Sequence, residues 1–243
     1  MEPALFARYV STAMPQWLSA DERAYRRAAA GKRRQLRGWL PASKDARICD
    51  VGCGPGALLF MFREMGYSNL AGVDISPQCV ELARKVCPGV ELGDATEFLS
   101  RHKGEFDLVC MMDVIEHHPK ERLLPLLEAA RDSLRPGGSL ILQTPNCAGP
   151  FGARHRYWDI THEIGLTTHA VQQMARAVGF RDLEFRECVD RPHGLKSLVR
   201  WLLWKVLRRL VWLWMLVETG DSGGGVYSQV MLARATTEEK PLA

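Results

Sequence analysis

Val51-Gly52-Cys53-Gly54-Pro55-Gly56 follows the apolar run Arg47–Val51 and opens the amphipathic stretch Ala57–Met65. A short buried run, a glycine cluster and a helical pattern in that order read as strand, tight turn and helix, and the glycines let the backbone come close to a ligand. Working outward, the alternation continues. Strands are predicted at Leu70–Asp74, Val90–Leu92, Phe106–Met112 and Ser139–Gln143, and helices at Pro77–Val86, Thr96–His102 and Lys120–Leu134. Strand and helix alternating at this spacing mean βαβ units and a parallel sheet. Pro136-Gly137-Gly138 reads as a turn, Thr168–Val178 as a helix stopped by Gly179, Phe180–Val189 as a strand and Val226–Ala233 as the last strand, with a disordered tail expected after Arg234.

Residues 1–40, rich in Ala and Arg with Tyr9, Trp17, Tyr25 and Trp39 spaced through them, read as a helical cover before the main domain at 41–243. The irregular polar stretch 147–166 reads as an acceptor loop, because function concentrates in long loops at the end of a sheet. At 243 residues and 47% hydrophobic, the chain is long enough for one large core. The net charge of +4 is matched by the segment Leu195–Glu218 alone, which sets Lys196, Arg200, Lys205, Arg208 and Arg209 against Glu218. The remainder is neutral, so the global basic field that nucleic acid requires is absent and no nucleic-acid partner is expected. Seven cysteines, an odd number without a C-x-x-C pair and with no secretory leader before them, point to a reducing cytosol and a cytoplasmic enzyme.

Gly52, Gly54 and Ala57 also satisfy the G-x-G-x-x-G/A pattern of dinucleotide sites, and Asp74 stands twenty residues after Gly54 at the end of the next strand, where it can hold ribose hydroxyls. A nicotinamide-dependent oxidoreductase is therefore one reading. Pro55 counts against it, since it removes an N–H from a loop that would have to cradle a pyrophosphate. Taken singly, Asp74 equally precedes a helix capped by Ser76 and opened by Pro77, and Asp94 equally serves as a turn residue.

The joint order of motifs decides between these readings. Gly72-Val73-Asp74-Ile75-Ser76, Gly93-Asp94-Ala95, Phe106-Asp107-Leu108-Val109 and Leu134-Arg135-Pro136-Gly137-Gly138-Ser139-Leu140 follow the glycine loop in sequence, and together closely resemble the successive motifs of class I S-adenosylmethionine (SAM) dependent methyltransferases. The resemblance spans roughly Arg47 to Val189. It implies an α/β, Rossmann-like, doubly wound sheet, mostly parallel with an antiparallel last strand and helices on both faces, and it implies SAM as cofactor. It further implies that Gly52, Cys53, Gly54 and Gly56 line the methionine end, that Asp74 takes the ribose, that Asp94 accepts from the adenine amino group, that Ile75 and Ala95 sandwich the adenine, and that Met112 and Asp113 face the sulfonium.

Methyl transfer is an in-line displacement, so the protein must hold the acceptor close and aligned, and an alcohol acceptor also needs a base. Asp113-Val114-Ile115-Glu116-His117-His118 and Arg154-His155-Arg156-Tyr157-Trp158-Asp159-Ile160-Thr161-His162-Glu163 both fall at the carboxyl edge of the sheet, where ligands bind. His117 is the leading base, with His162, Asp159 and Glu163 as the other catalytic candidates; Asp113 and His118 can instead cap the next helix. Arg154 and Arg156 can clamp an anionic acceptor, and Tyr157 and Trp158 are too apolar for a purely solvated loop and are expected to fold over the pocket. Asp159, His162 and Glu163 lack a fourth ligand, so no metal is expected.

The run Thr144-Pro145-Asn146, Arg156-Tyr157-Trp158-Asp159 and Thr161-His162-Glu163 resembles a subgroup often encoded with bacterial surface polysaccharide genes, which implies O-methylation of a saccharide or lipid-linked glycan. The Val114-Ile115-Glu116-His117 segment is shared with ubiquinone-biosynthesis O-methyltransferases, which implies a quinone or other small hydrophobic acceptor instead. An inactive SAM-binding scaffold is the third reading. The insertion at 192–219 carries Trp201, Trp204, Trp212 and Trp214 among its cations, so it is too interrupted to cross a bilayer yet suited to lie on an anionic membrane through 195–217 at the inner face. The competing cover for it is the sheet itself or a second subunit, which would make a homodimer.

Overall fold

The computed structural model describes residues 3–149, 152–189, 192–221 and 223–238. Three helices, α1 (Pro3–Ala7), α2 (Tyr9–Ala13) and α3 (Glu22–Gln35), precede the sheet. There follow β1 (Ile48–Val51), α4 (Ala57–Glu64), β2 (Leu70–Asp74), α5 (Pro77–Arg84), β3 (Val90–Leu92), α6 (Ala95–Arg101), β4 (Phe106–Met112), α7 (Lys120–Ser133) and β5 (Leu134–Pro145). The chain ends with α8 (Gly152–Arg156), α9 (Thr168–Ala177), β6 (Arg181–Glu187), α10 (Leu195–Thr219) and β7 (Val230–Thr236).

Local chemistry sets these boundaries. The side chain of Asp21 accepts from the N–H of Ala24 to start α3, which carries Glu22 in its first turn and Lys32, Arg33 and Arg34 in its last, both favourable to the helix dipole. Ser76 caps α5 with Pro77 as its first residue, and Asp94 caps α6 by accepting from the N–H groups of Thr96 and Glu97.

The strands form one seven-stranded sheet in the order β3-β2-β1-β4-β5-β7-β6. All neighbours through β5 are parallel, and β7 runs antiparallel to both β5 and β6. Side chains alternate across the pleat. Cys49, Val51, Val109, Met111, Leu140 and Leu142 join the core under α6, α7 and α9, while Ile48, Leu108, Cys110 and Ile141 join the core under α3, α4 and α5. Burying both faces explains why the central strands read as continuous apolar runs.

Four expectations change. Pro136-Gly137-Gly138 lies within β5 as an irregularity in the pairing with β4, Gly137 taking φ +76, because the strand begins at Leu134 opposite Phe106 and resumes register at Ser139 opposite Leu108. The last strand begins at Val230 rather than Val226 and continues past Arg234 to Thr236, which pairs with Ser139; residues 239–243 of the tail lie outside the described residues. Stretch 147–166 contains the helix α8. The N-terminal helices do more than cover the sheet, as described next. Among the described residues no helix is long and apolar enough to cross a membrane.

Candidate active site

The sheet order reverses between β1 and β4, and ligands of open α/β sheets sit outside the carboxyl ends of the strands at such a point. A cavity of about 380 Å³ opens there, inside the range of small-molecule sites. Its floor comes from the ends of four adjacent strands: Asp50, Gly52, Cys53 and Gly54 at the end of β1, Asp74 and Ile75 at that of β2, Asp94 and Ala95 beyond β3, Met112, Asp113 and Val114 at the end of β4. Nine of the residues expected to bind the cofactor are thus brought together, Gly56 being the exception. Gly56 starts α4 with φ +87, and a Cβ there would stand 3.1 Å from the Cα of Ala83, so its smallness serves the packing of α4 on α5. Gly54, with φ +52, has open space where a Cβ would go, which leaves its backbone bare to the cavity.

Asp74 is held rigidly: Oδ2 accepts from the N–H of Gly54 at 2.8 Å and Oδ1 from that of Ser76 at 2.8 Å. Burial raises its pKa, and those N–H groups oppose the rise. Asp50, one strand over, is fully enclosed; burial and then the neighbouring Asp74 push its carboxyl well above the usual range, with Lys32 pulling the other way. Asp94 does two jobs, capping α6 and pairing with Arg122 at 2.9 Å. Burial would raise its pKa, but the N–H groups of Glu97 and Thr96 together with Arg122 bring it below the usual value.

The upper wall is aromatic and comes from the N-terminus: Phe6, Tyr9, Met14 and Trp17, with Ala28 and Lys32 from α3. The Tyr25 hydroxyl donates to the carbonyl of Pro55 at 2.9 Å, tying α3 to the glycine loop. Lys32 donates to Gln143 Oε1, and Gln143 Nε2 donates at 2.6 Å to Asp113 Oδ2. Asp113 itself sits at φ +57, a sparsely populated conformation for a residue with a side chain, of the kind that collects at functional sites.

His117 lies beside that wall, with its ring edge-on to Phe6 and Tyr9. The Tyr9 hydroxyl donates to Asp159 Oδ2 at 2.9 Å, the Thr161 hydroxyl donates to Asp159 Oδ1 at 2.7 Å, and His117 Nδ1 lies 2.8 Å from Thr161 Oγ1. Burial alone would raise the pKa of Asp159, yet the N–H and hydroxyl of Thr161, Tyr9 and His117 hold it below the usual range, so it is an ionised acceptor. The threonine proton is therefore committed to Asp159. Thr161 accepts from His117 Nδ1–H, and this tautomer leaves Nε2 of His117 with a free lone pair. Burial, then the neighbouring His162, lower the His117 pKa to about 4, which keeps the ring neutral in ordinary buffer.

The acceptor loop is used otherwise than its sequence suggests. No described residue of 147–166 lines the cavity. Tyr157 and Trp158 are 77% and 70% exposed, and Arg154 stacks on Trp158 outside. Arg156 donates to the carbonyls of His162 and Glu163 at 2.5 and 2.8 Å, so its guanidinium closes the loop on itself, away from the cavity lining. The side chain of Glu163 is exposed; its backbone N–H donates to the carbonyl of Glu116. Asp159 stands behind His117 through Thr161, and the His162 ring lies 4.8 Å from that of His117.

Among the described residues one donor group could hold a divalent cation: ligand atoms of Glu116, His117 and His162 all lie within 4.8 Å of one another. It shares only His162 with the trio weighed from sequence. Glu116 accepts from Thr144 at 3.1 Å through Oε2, while Oε1 is buried without a partner, and burial followed by the Asp113 charge lifts its pKa well above the usual range. Sequence reasoning missed Asp50, Lys32, Gln143, Thr161 and the N-terminal aromatics. Two signals were present: an acid, Asp50, inside an apolar run next to the glycine loop, and the aromatic spacing of residues 1–40.

A family model described as a methyltransferase domain matches residues 21–185. Over 111 residues the chain is 32% identical to the ubiquinone biosynthesis O-methyltransferase of Xanthomonas campestris pv. campestris (strain B100), covering 43% of this chain and 45% of that protein. The chain thus matches less than half the length of these curated relatives; that of Shewanella pealeana is 30% identical over 106 residues, with 41% and 44% covered. Among solved structures, the fold is similar to a SAM dependent methyltransferase from Archaeoglobus fulgidus, with TM-score 0.64, 21% identity and coverage of 98% of this chain and 100% of that one. It is also similar to the Haemonchus contortus phosphoethanolamine N-methyltransferase 2 solved with S-adenosyl-L-methionine, with TM-score 0.64, 16% identity and coverage of 96% and 60%. The nicotinamide oxidoreductase reading falls with these findings, and the chain belongs to the methyltransferase domain family, the class I, SAM-dependent methyltransferases that its motif order resembles.

Proposed function

We propose that this enzyme O-methylates a small hydrophobic acceptor bearing a hydroxyl group, of the quinone type, in a cytoplasmic setting. The observation that carries this reading is the wall facing the glycine loop: Phe6, Tyr9, Met14 and Trp17 offer ring faces and apolar surface, and few hydrogen-bonding groups for a sugar. The curated relatives named for ubiquinone biosynthesis support the same choice. The saccharide or lipid-linked glycan reading came from the run Thr144-Pro145-Asn146, Arg156-Tyr157-Trp158-Asp159 and Thr161-His162-Glu163, none of which is in the cavity lining. The odd number of cysteines and the lack of a C-x-x-C pair support the cytoplasmic setting.

The residues present suit SAM. Gly52, Cys53 and Gly54 offer bare backbone at the methionine end, Asp74 a fixed carboxylate for ribose hydroxyls, and Ile75 and Ala95 an apolar slot beside Asp94 for adenine. Two acids, Asp50 and Asp74, stand on the cavity floor beside the glycine loop, where a pyrophosphate would meet carboxyl groups. SAM, when bound, supplies a methyl group already activated by the sulfonium. The protein then has two tasks. The aromatic wall and the Lys32–Gln143–Asp113 chain hold the acceptor against the ends of β1 and β4, and His117 Nε2 takes the hydroxyl proton as its oxygen gains the methyl. Asp159 and Thr161 keep His117 in the tautomer that can do so.

Calorimetry with S-adenosylhomocysteine and with NAD tests the cofactor half: micromolar binding of the first and none of the second is expected, and tighter binding of NAD overturns it. Asp74→Ala is expected to weaken S-adenosylhomocysteine by about 1.5–3 kcal/mol. A mass-spectrometric screen of quinone, saccharide and lipid extracts tests the acceptor half. A phenolic or quinol product heavier by one methylene unit supports it, a methylated saccharide alone refutes it, and no turnover on any extract favours the scaffold reading.

A further inference from the structure

We infer that α10 is a docking helix for anionic lipid bilayers. It runs for 25 residues, about 37 Å, and contains no buried residue. Its half-buried residues form one stripe, Ser197, Trp201, Trp204, Arg208, Val211 and Met215, spaced three and four apart. Glu187 at the end of β6 fastens that stripe, accepting from Trp204 Nε1 at 3.1 Å and Arg208 Nε at 3.2 Å, while Arg208 also donates to the carbonyl of Gly225 at 2.8 Å.

Successive residues of an α-helix turn by about 100°, so the pole opposite this stripe can be read directly. Val199, Leu202, Val206, Leu210, Leu213 and Val217 occupy it, and each is at least 47% exposed. Exposed cations border the pole on both sides: Lys205 and Arg209 along one flank, Lys196 and Arg200 along the other. No acid lies anywhere between 195 and 217. An apolar ridge between two rows of cations matches a bilayer surface, where the ridge enters the acyl boundary and the cations meet lipid phosphates. A second copy of the chain does not answer the same surface, because pairing two such ridges would bring four rows of cations together without an acid among them. The segment differs from a spanning helix, since the cations interrupt it and none of its windows is apolar enough to cross.

The sheet places this helix at the catalytic rim. β5 and β6 both run antiparallel to β7, hence parallel to each other, so Glu187 lies at the carboxyl edge, opposite Met231, which in turn pairs with Thr144. α10 leaves the sheet and returns to it at the edge where the cavity opens. A lipid-soluble acceptor would then enter from the surface the helix rests on; that consequence rests on the hydrophobic-acceptor reading, whereas docking does not.

Sedimentation of the full chain with vesicles, without acceptor, tests docking alone. Binding is expected to be at least roughly tenfold tighter to vesicles of phosphatidylcholine with phosphatidylglycerol than to phosphatidylcholine alone, and to weaken as salt rises. Val206→Glu with Leu210→Glu, and separately Lys205→Glu with Arg209→Glu, change exposed side chains only; both are expected to release the protein while S-adenosylhomocysteine affinity stays within about twofold of the parent. Equal binding to the two vesicle types, no binding to either, or a dimer in lipid-free buffer that the Val206/Leu210 variant dissociates each overturn the inference. Turnover on a soluble phenolic acceptor, measured on the same variants, separates this result from the acceptor reading: its loss in the parent enzyme counts against the acceptor alone.

Discussion

The N-terminal helices and the stretch 147–166 both resemble covers for a pocket, each with aromatic residues spaced among arginines, yet they are used in opposite ways. Phe6, Tyr9 and Trp17 turn inward and wall the cavity, whereas Tyr157 and Trp158 turn outward. The loop contributes from behind, where Asp159 and Thr161 brace His117 and Arg156 laces the backbone of the loop together. The difference teaches that an aromatic becomes a wall only where a rigid element presses it against the sheet edge. α3, clamped to the glycine loop through Tyr25, provides such an element for the N-terminus.

If the loop acts only through its grip on His117, the largest effect belongs to that histidine. His117→Ala is expected to lower kcat by about 10²- to 10⁴-fold with S-adenosylhomocysteine affinity retained, as measured by steady-state kinetics and calorimetry. Full turnover in that variant removes the base from this position and with it the loop's contribution. Thr161→Val, which deletes the hydroxyl linking Asp159 to His117, should reproduce a smaller part of the loss in kcat and leave the acceptor KM near that of the parent.

The same bracing has a signature in stability. The folded pKa of His117, about 4, lies below its ordinary value of 6.5, so the unfolded chain takes up the proton first. The neutral ring's contribution is complete above pH 6.5 and is lost as pH falls toward 4, an amount on the order of 3 kcal/mol. In urea titrations, His117→Phe is expected to lose less stability than the parent between pH 7 and pH 4.5; equal slopes would mean that the ring is not buried against the N-terminal wall.

Smaller effects sharpen the contrast between the two covers. Phe6→Ala, which removes a ring packed on Tyr9 and His117, is expected to raise the acceptor KM by roughly tenfold, one apolar contact's worth of about 1–3 kcal/mol. Tyr157→Ala and Trp158→Ala, by contrast, should leave kcat, KM and stability within about twofold and 0.5 kcal/mol of the parent. A KM that responds to the loop aromatics and ignores Phe6 would invert the comparison and restore the loop as the acceptor wall.

Legibility followed the range of the interactions involved. The glycine loop, Asp74, Asp94 and the strand ends were readable because turn geometry, caps and alternation are local in sequence. The outward face of Tyr157 and Trp158 was not, because an amphipathic side chain in a loop carries no periodicity to say which way it points. Arg156 was placed by a related long-range choice: its guanidinium is taken up by the backbone carbonyls of its own loop. Glu163 and His162 are adjacent in sequence, yet only His162 reaches His117.

The sequence by itself determined the parallel sheet, its glycine-rich first turn, the acids at successive strand ends and the basic, tryptophan-rich character of 195–217, since each depends on residues a few positions apart and on the pleat and helix periods. Only the tertiary structure decided which cover walls the cavity, which of four candidate groups lies at the cavity with Thr161 against its ring, and which face of α10 looks away from the body. Those choices depend on contacts such as Tyr9 with Asp159, Thr161 with His117 and Glu187 with Arg208. Partners so far apart in the chain meet only once the sheet has brought the ends of its strands, and the segments leaving them, to one edge.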